Sequence, residues 1–276
     1  MSNDAISPDI VARGLASESG VEKIRKRAHH LLILGILGGA YVAFGAELAT
    51  TLAMDAHLFV GIGISRMITG IAFSVGLIFI VLGRTELFTG NSLLVLSVFE
   101  RKASIGGLMR NWGIVFFANL VGSLLMVGLI LGSGLWKLGD GALGAAAVNI
   151  ASAKVSLTFI EALFRGILCN WLVCLAVWLA TSAQTVPGKV LCCVFPVMAF
   201  VTGGFEHCIA NLFFIPMGLV LKGQVAAEVS PFLNLGGMIV RNLIPVTVGN
   251  IIGGVVFVAG LKWVVFLRRN PGQAQA

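Results

Sequence analysis

The sequence predicts an all-α polytopic membrane protein with six spans, built from two three-helix halves, with the second and fifth helices broken. Three observations lead there. Hydrophobic residues make up 58% of the chain and charged ones only 11%, against about 25% charged in a soluble globule. The apolar segments alternate with short charged loops, and mean hydropathy is +0.99. A polar motif recurs 131 residues after its first appearance. No hydrophilic stretch is long enough for a second domain. The net charge of +7 gathers near helix ends, so it reports membrane topology and not a nucleic-acid partner.

Residues 1–28 are polar and read as a cytoplasmic amphipathic segment with Ile10, Val11, Leu15 and Val21 as its apolar side, suited to the membrane surface. The polar N-terminus and the late start of the first apolar run argue against a cleavable signal peptide. The Lys23–Arg27 cluster abuts the first span, about 31–54, and places the N-terminus inside. The second segment is charge-free over 67–83, carries Arg84-Thr85-Glu86, and is charge-free again over 87–99. Thirteen helical residues cover only about 20 Å of a ~30 Å hydrocarbon core, so this is one span broken around Leu87–Asn91. A basic loop with Arg101 and Lys102 leads to the third span, 111–136. Residues 137–153 read as an outer loop rich in Gly and Ala, before the fourth span at about 155–180. The fifth segment runs from 190 to 221 with Glu206-His207 in its middle and two glycines just before them. An outer loop, 222–240, precedes the sixth span, about 243–267.

Six spans place both termini on one side. Lys23, Arg25, Lys26, Arg27, Arg101, Lys102, Lys189, Arg268 and Arg269 all fall on that side, giving N-in and C-in, with 29–270 as the transport domain and 271–276 as a cytoplasmic tail. The recurring motif is Arg110-Asn111-x7-Asn119-Leu-Val-Gly122 against Arg241-Asn242-x7-Asn250-Ile-Ile-Gly253. Each copy opens the last span of a three-span half whose second helix is broken. Three is odd, so the halves lie inverted, and two breaks meeting at membrane depth suit a solute pathway. Asn111, Asn119, Asn242 and Asn250 read as helix–helix glue, and Glu161 and Arg165, four apart, as an ion pair on one helix face.

An ionisable pair in apolar sequence needs water, a partner or a permeant, which makes Glu206 and His207 the leading candidates. The five cysteines (Cys169, Cys174, Cys192, Cys193, Cys208) lie in apolar segments with no CxxC and no metal-type Cys/His spacing; they read as small buried residues, and no metal or cofactor is expected. There is no nucleophile–base arrangement and no nucleotide loop, so the chain does not read as an enzyme. Paired Asn-Pro-Ala loops of a neutral-solute facilitator are also lacking.

At Glu86-Leu-Phe-Thr-Gly-Asn91, at Gly204-Phe-Glu-His-Cys-Ile-Ala-Asn211 and at Met217-Gly218 the sequence resembles the formate/nitrite transporter family. Thr158-Phe-Ile-Glu161, Cys174-Leu-Ala-Val-Trp178 and the run from Asn242 to Gly254 add to the likeness, which covers about residues 20–270. The resemblance implies a homopentamer in the plasma membrane, each protomer an aquaporin-like six-helix fold with its own pore. It implies His207 as the central histidine and Thr89 as the threonine of the second-helix break. One apolar ring would hold Phe73, Leu77 and Leu87 with Phe88 beside it, and the other Phe200. Lys154 would be the vestibule lysine and Asn170 the fourth-helix asparagine. The permeant would be formate, nitrite or hydrosulfide, which share this pattern.

Each residue then has an expected part. Lys154, at the outer edge of the fourth span, would gather anions. Thr89 and Asn91 would offer neutral hydrogen bonds. His207 would donate a proton or a hydrogen bond to the anion, with Glu206 orienting it. The apolar rings would exclude water, so that a weak acid crosses in its neutral form together with a proton. The plainer alternatives are a structural hydrogen-bond partner for His207 and an interface anchor for Lys154.

Overall fold

The computed structural model describes residues 5–268. Among these, six helices are long and apolar enough to cross a membrane: Ala28–Ala53, Ala56–Leu82, Ile105–Ser133, Phe159–Ser182, Val186–Gly203 and Gly237–Phe266. They are the first to sixth spans. Arg269 and the tail at 271–276 lie outside the described residues. The protein is a multi-pass membrane protein.

The second span ends at Leu82, and the chain unwinds until a 3-10 turn at Gly90–Leu94 and a short helix at Val95–Phe99 resume the direction. The fifth ends at Gly203, passes through Gly204 at φ 72, and restarts as the helix Cys208–Leu221. Both breaks fall where the charge pattern puts them. The sixth span is one run, opened and interrupted by π turns at Gly237–Leu243 and Val255–Gly260.

First and third spans pack closely, as do fourth and sixth. A Cβ on Gly122 would overlap the Ile36 carbonyl oxygen, and one on Gly253 would overlap that of Ile167. Small residues let these backbones touch, which is how helices associate where lipid supplies no hydrophobic drive. The two contacts are equivalent in the two halves, so the repeat read from the asparagine motif is structural.

Two expectations change. Residues 142–156 form a 15-residue helix and not a loop. It packs on Cys208–Leu221 and is too short to span. Lys154 therefore sits in the last turn of this helix and not on the fourth span. The N-terminal segment is two helices, Pro8–Ala16 and Glu18–Arg25, and its apolar side faces protein. Val11, Ala12, Ala16 and Ile24 are buried, and the Ile6 N–H donates to the Ser182 carbonyl at the end of the fourth span. Amphipathicity announces an apolar surface but not which one covers it. With that, each half is a short helix bearing a lysine, Lys23 or Lys154, followed by three spans.

Candidate functional site

The breaks are held by two copies of one hydrogen-bond network. In the first half, Asn119 Nδ2 donates to the carbonyls of Gly35 (2.7 Å) and Glu86 (3.0 Å), while its Oδ1 accepts the Phe88 N–H. In the second, Asn250 Nδ2 donates to the carbonyls of Gly166 (2.8 Å) and Glu206 (2.9 Å), while its Oδ1 accepts the Cys208 N–H. Unwound backbone at this depth has no water to turn to, and each asparagine satisfies two groups of its break. The third bond, to Gly35 or Gly166, runs from span to span, so these asparagines join helices as expected and hold the breaks as well.

The carboxylates are treated alike. Glu86 and Glu206 are both buried. Glu86 accepts from Asn91 Nδ2 and from the ammonium groups of Lys23 (3.1 Å) and Lys26 (3.3 Å). Glu206 accepts from Asn211 and Asn242 and pairs with Lys154 at 3.0 Å. The carbonyl oxygens of Lys23 and Lys154 each accept from an asparagine amide, Asn111 and Asn242. Glu206 makes no bond to the His207 ring. Asn170 donates to the carbonyls of Thr89 and Asn250, and Asn91 is engaged by Glu86, Asn111 and Lys23. Asn91 and Asn170 are buried with their amides engaged by protein, and Glu206 lines the cavity with both carboxylate oxygens engaged.

His207 and Thr89 do meet. His207 is the N-cap of Cys208–Leu221, its Nδ1 accepting the Ala210 N–H at 3.1 Å. Nε2 lies 2.9 Å from Thr89 Oγ1. An amide N–H can only donate, so Nδ1 carries no proton, and the neutral ring holds its proton on Nε2. Nε2 therefore donates to Thr89, and the threonine hydroxyl is left free to donate onward. A charged ring would need a proton on Nδ1, facing the Ala210 N–H, and would lose the cap. The site is built around a neutral histidine.

A cavity of about 420 Å³ has both Lys154 and His207 on its wall. Its wall includes Lys154, Arg66, Arg165, Phe73, Phe200 and His207. Phe73 and Phe200, expected in separate rings, meet edge to face with centroids 5.7 Å apart on this wall. Phe214 stacks on Phe73 at 6.2 Å and lies under the Lys154 ammonium. Leu77, Leu87 and Phe88 are buried away from the cavity wall. Phe88 packs on Phe116 and Trp112.

Sequence reasoning missed Lys23, Lys26 and Glu86 as a matching cluster, although Glu-x4-Asn occurs at both breaks. It also missed Phe214, for which helical sequence offers no signal. Glu161 and Arg165 interact electrostatically, as their spacing predicts, but do not come within ion-pair distance. The Glu161 carboxylate accepts from the N–H and hydroxyl of Thr158 in a capping box, which leaves Arg165 to the cavity.

A family profile described as formate/nitrite transporter matches residues 13–264. The probable formate transporter of Methanothermobacter thermautotrophicus is 40% identical over 268 residues, spanning 91% of this chain and 94% of the relative. The formate channel FocA of Escherichia coli (strain K12) is 39% identical over 279 residues, spanning 97% and 96%. Among solved structures, a pentameric formate channel with formate bound superposes with a TM-score of 0.76 at 36% identity, covering 87% of this chain and 98% of the other. An FNT family ion channel superposes with a TM-score of 0.79 at 27% identity, covering 94% and 98%.

Proposed function

The chain belongs to the formate/nitrite transporter family, and on that premise we propose that it passes formate together with a proton across the plasma membrane. It does so as a homopentamer, with one pore in each protomer and both termini cytoplasmic. The names of the relatives and the bound formate of the pentameric neighbour support the substrate and the assembly. The basic Lys23–Arg27 cluster supports the orientation.

The observation that carries the reading is the His207–Thr89 contact, with His207 on the wall of a cavity that also holds Lys154, Arg66, Arg165, Phe73 and Phe200. Formate collects near Lys154. Crossing the phenylalanine pair as an ion is prohibitive: the ideal Born cost is of order 20 kcal/mol, several of which survive relaxation. Desolvation favours the neutral acid, so the anion takes the proton of a hydronium ion supplied from the bulk through the cavity, leaving water behind, as it enters the constriction. His207 remains neutral, and the Thr89 hydroxyl, oriented by Nε2–H, hydrogen-bonds the solute. Past Leu77, Leu87 and Phe88 the acid meets water again and releases its proton. Asn91, Asn170 and Glu206 hold the walls in place.

The test is uptake of labelled formate by proteoliposomes at two external pH values, with nitrite and hydrosulfide as competitors. Uptake should rise as pH falls and resist both competitors. Preferential block by nitrite or hydrosulfide would move the assignment to that solute, and absence of flux for all three would overturn the reading.

A further inference from the structure

Two arginines from different spans reach the same turn. Arg66 stands on the second span, and a Cβ placed on Gly204 would come 2.7 Å from its Nη2. The guanidinium therefore rests on the bare backbone of the fifth-helix break. Arg165 stands on the fourth span. Its Nη1 donates to the Gly204 carbonyl at 3.4 Å, and its own carbonyl accepts the Glu206 N–H. Both side chains line the cavity that has His207 on its wall.

Neither charge has a carboxylate at ion-pair distance, although Glu161 acts on Arg165 from further away. Among the described residues, no carboxylate makes an ion pair with Arg66 or Arg165. Glu206 is the only carboxylate on the cavity wall, and both its oxygens are engaged, one by Lys154 and the other by Asn211 and Asn242. Each guanidinium carries five N–H donors in a planar fork. Arg165 spends one on Gly204, and Arg66 makes no hydrogen bond to a protein acceptor among the described residues. Arg66 is exposed and Arg165 half-buried, and both stand with Lys154 on a concave wall, most of their N–H groups without a protein acceptor among the described residues.

We propose that Arg66 and Arg165 form an anion station at Gly204, separate from Lys154 and one step before the constriction, that binds a small planar oxyanion such as a carboxylate through two parallel N–H···O bonds. The inference rests on the reading that small weak-acid anions pass this chain. A fork suits a two-oxygen anion better than a spherical one. Guanidinium is also more weakly hydrated than an ammonium, which suits a site that hands its ligand to an apolar ring. The station sets how much anion waits at the constriction, while His207 and Thr89 act on what goes through.

The test is the concentration dependence of initial formate uptake by the full chain in proteoliposomes. It compares the unaltered protein with Arg66→Gln, Arg165→Gln, the double Gln variant and the double Lys variant. The double Gln variant should raise the half-saturating formate concentration about fivefold or more, with the maximal rate within about twofold. The double Lys variant should restore only part of the loss, because it keeps charge without the fork. If the double Gln variant does not assemble on gel filtration, Arg66→Gln carries the test, with about a twofold rise expected from its exposed side chain. An unchanged half-saturating concentration, or a fall in maximal rate alone, would overturn the station. No formate flux in the unaltered protein would instead overturn the functional reading beneath it.

Discussion

His207 Nε2 lies 2.9 Å from Thr89 Oγ1 while Nδ1 accepts the Ala210 N–H, so one ring caps a helix and orients a hydroxyl from the other half of the protein. The two duties separate by mutation. His207→Phe loses both, and losing a buried hydrogen-bonding group should cut formate flux at least about tenfold. His207→Asn keeps a good N-cap but does not reach Thr89. Its thermal midpoint should stay near that of the unaltered protein while flux falls with the Phe variant. Full flux in both would remove His207 from the permeation step.

The edge-to-face pair Phe73–Phe200 lies on the cavity wall and is proposed as its constriction. A hydrophobic constriction excludes hydrated ions by dewetting, so Phe73→Ala/Phe200→Ala should raise chloride leakage at least about tenfold. Formate flux should also lose much of its pH dependence. Chloride efflux from loaded proteoliposomes reads the first and paired uptake at two pH values the second. A tight, pH-dependent double variant would place the barrier elsewhere.

Among the described residues, Lys154 is the one cation on the buried Glu206. Removing a single member of a buried pair strands the other charge, so Lys154→Met should cost about 3 kcal/mol or more. Adding Glu206→Gln should recover most of that, because the asparagine amides still have an acceptor. Unfolding midpoints of the single and double variants measure this, and no recovery in the double variant would show that the charge pair is not what Lys154 stabilises.

At the other end Glu86 has two ammonium partners. Lys23→Met leaves Lys26 in place and should cost less than half of what Lys154→Met costs. Only Lys23→Met/Lys26→Met should approach it. Equal single-variant losses at the two ends would contradict this redundancy.

The spans, the two breaks and the inverted halves were legible because each depends on local composition: charge interrupts apolar runs, and the asparagine motif repeats at fixed spacing. Packing was not. Ala142–Ser156 lacks the length of a span and is rich in glycine and alanine, so it passed for a loop, and Lys154 was assigned to the wrong helix. The buried side of Pro8–Ala16 and Glu18–Arg25 has the same periodicity whether it meets lipid or protein. Phe73 and Phe200 are too distant in sequence for their contact to be read. Arg165 was given to Glu161 by the four-residue rule, although Thr158-Phe-Ile-Glu161 is itself a capping signature that claims the glutamate first. His207 stood out because an ionisable group at a break in apolar sequence is conspicuous, whereas Thr89 was pointed to only by the family resemblance.

The twin networks around Asn119 and Asn250 make the chain its own control. The same three backbone groups hang on each asparagine, yet only one copy carries the histidine. Asn119→Ala and Asn250→Ala should therefore lower the unfolding midpoint by similar amounts, and any difference between them in flux or solute preference belongs to transport alone. An experimenter can subtract one half of this molecule from the other.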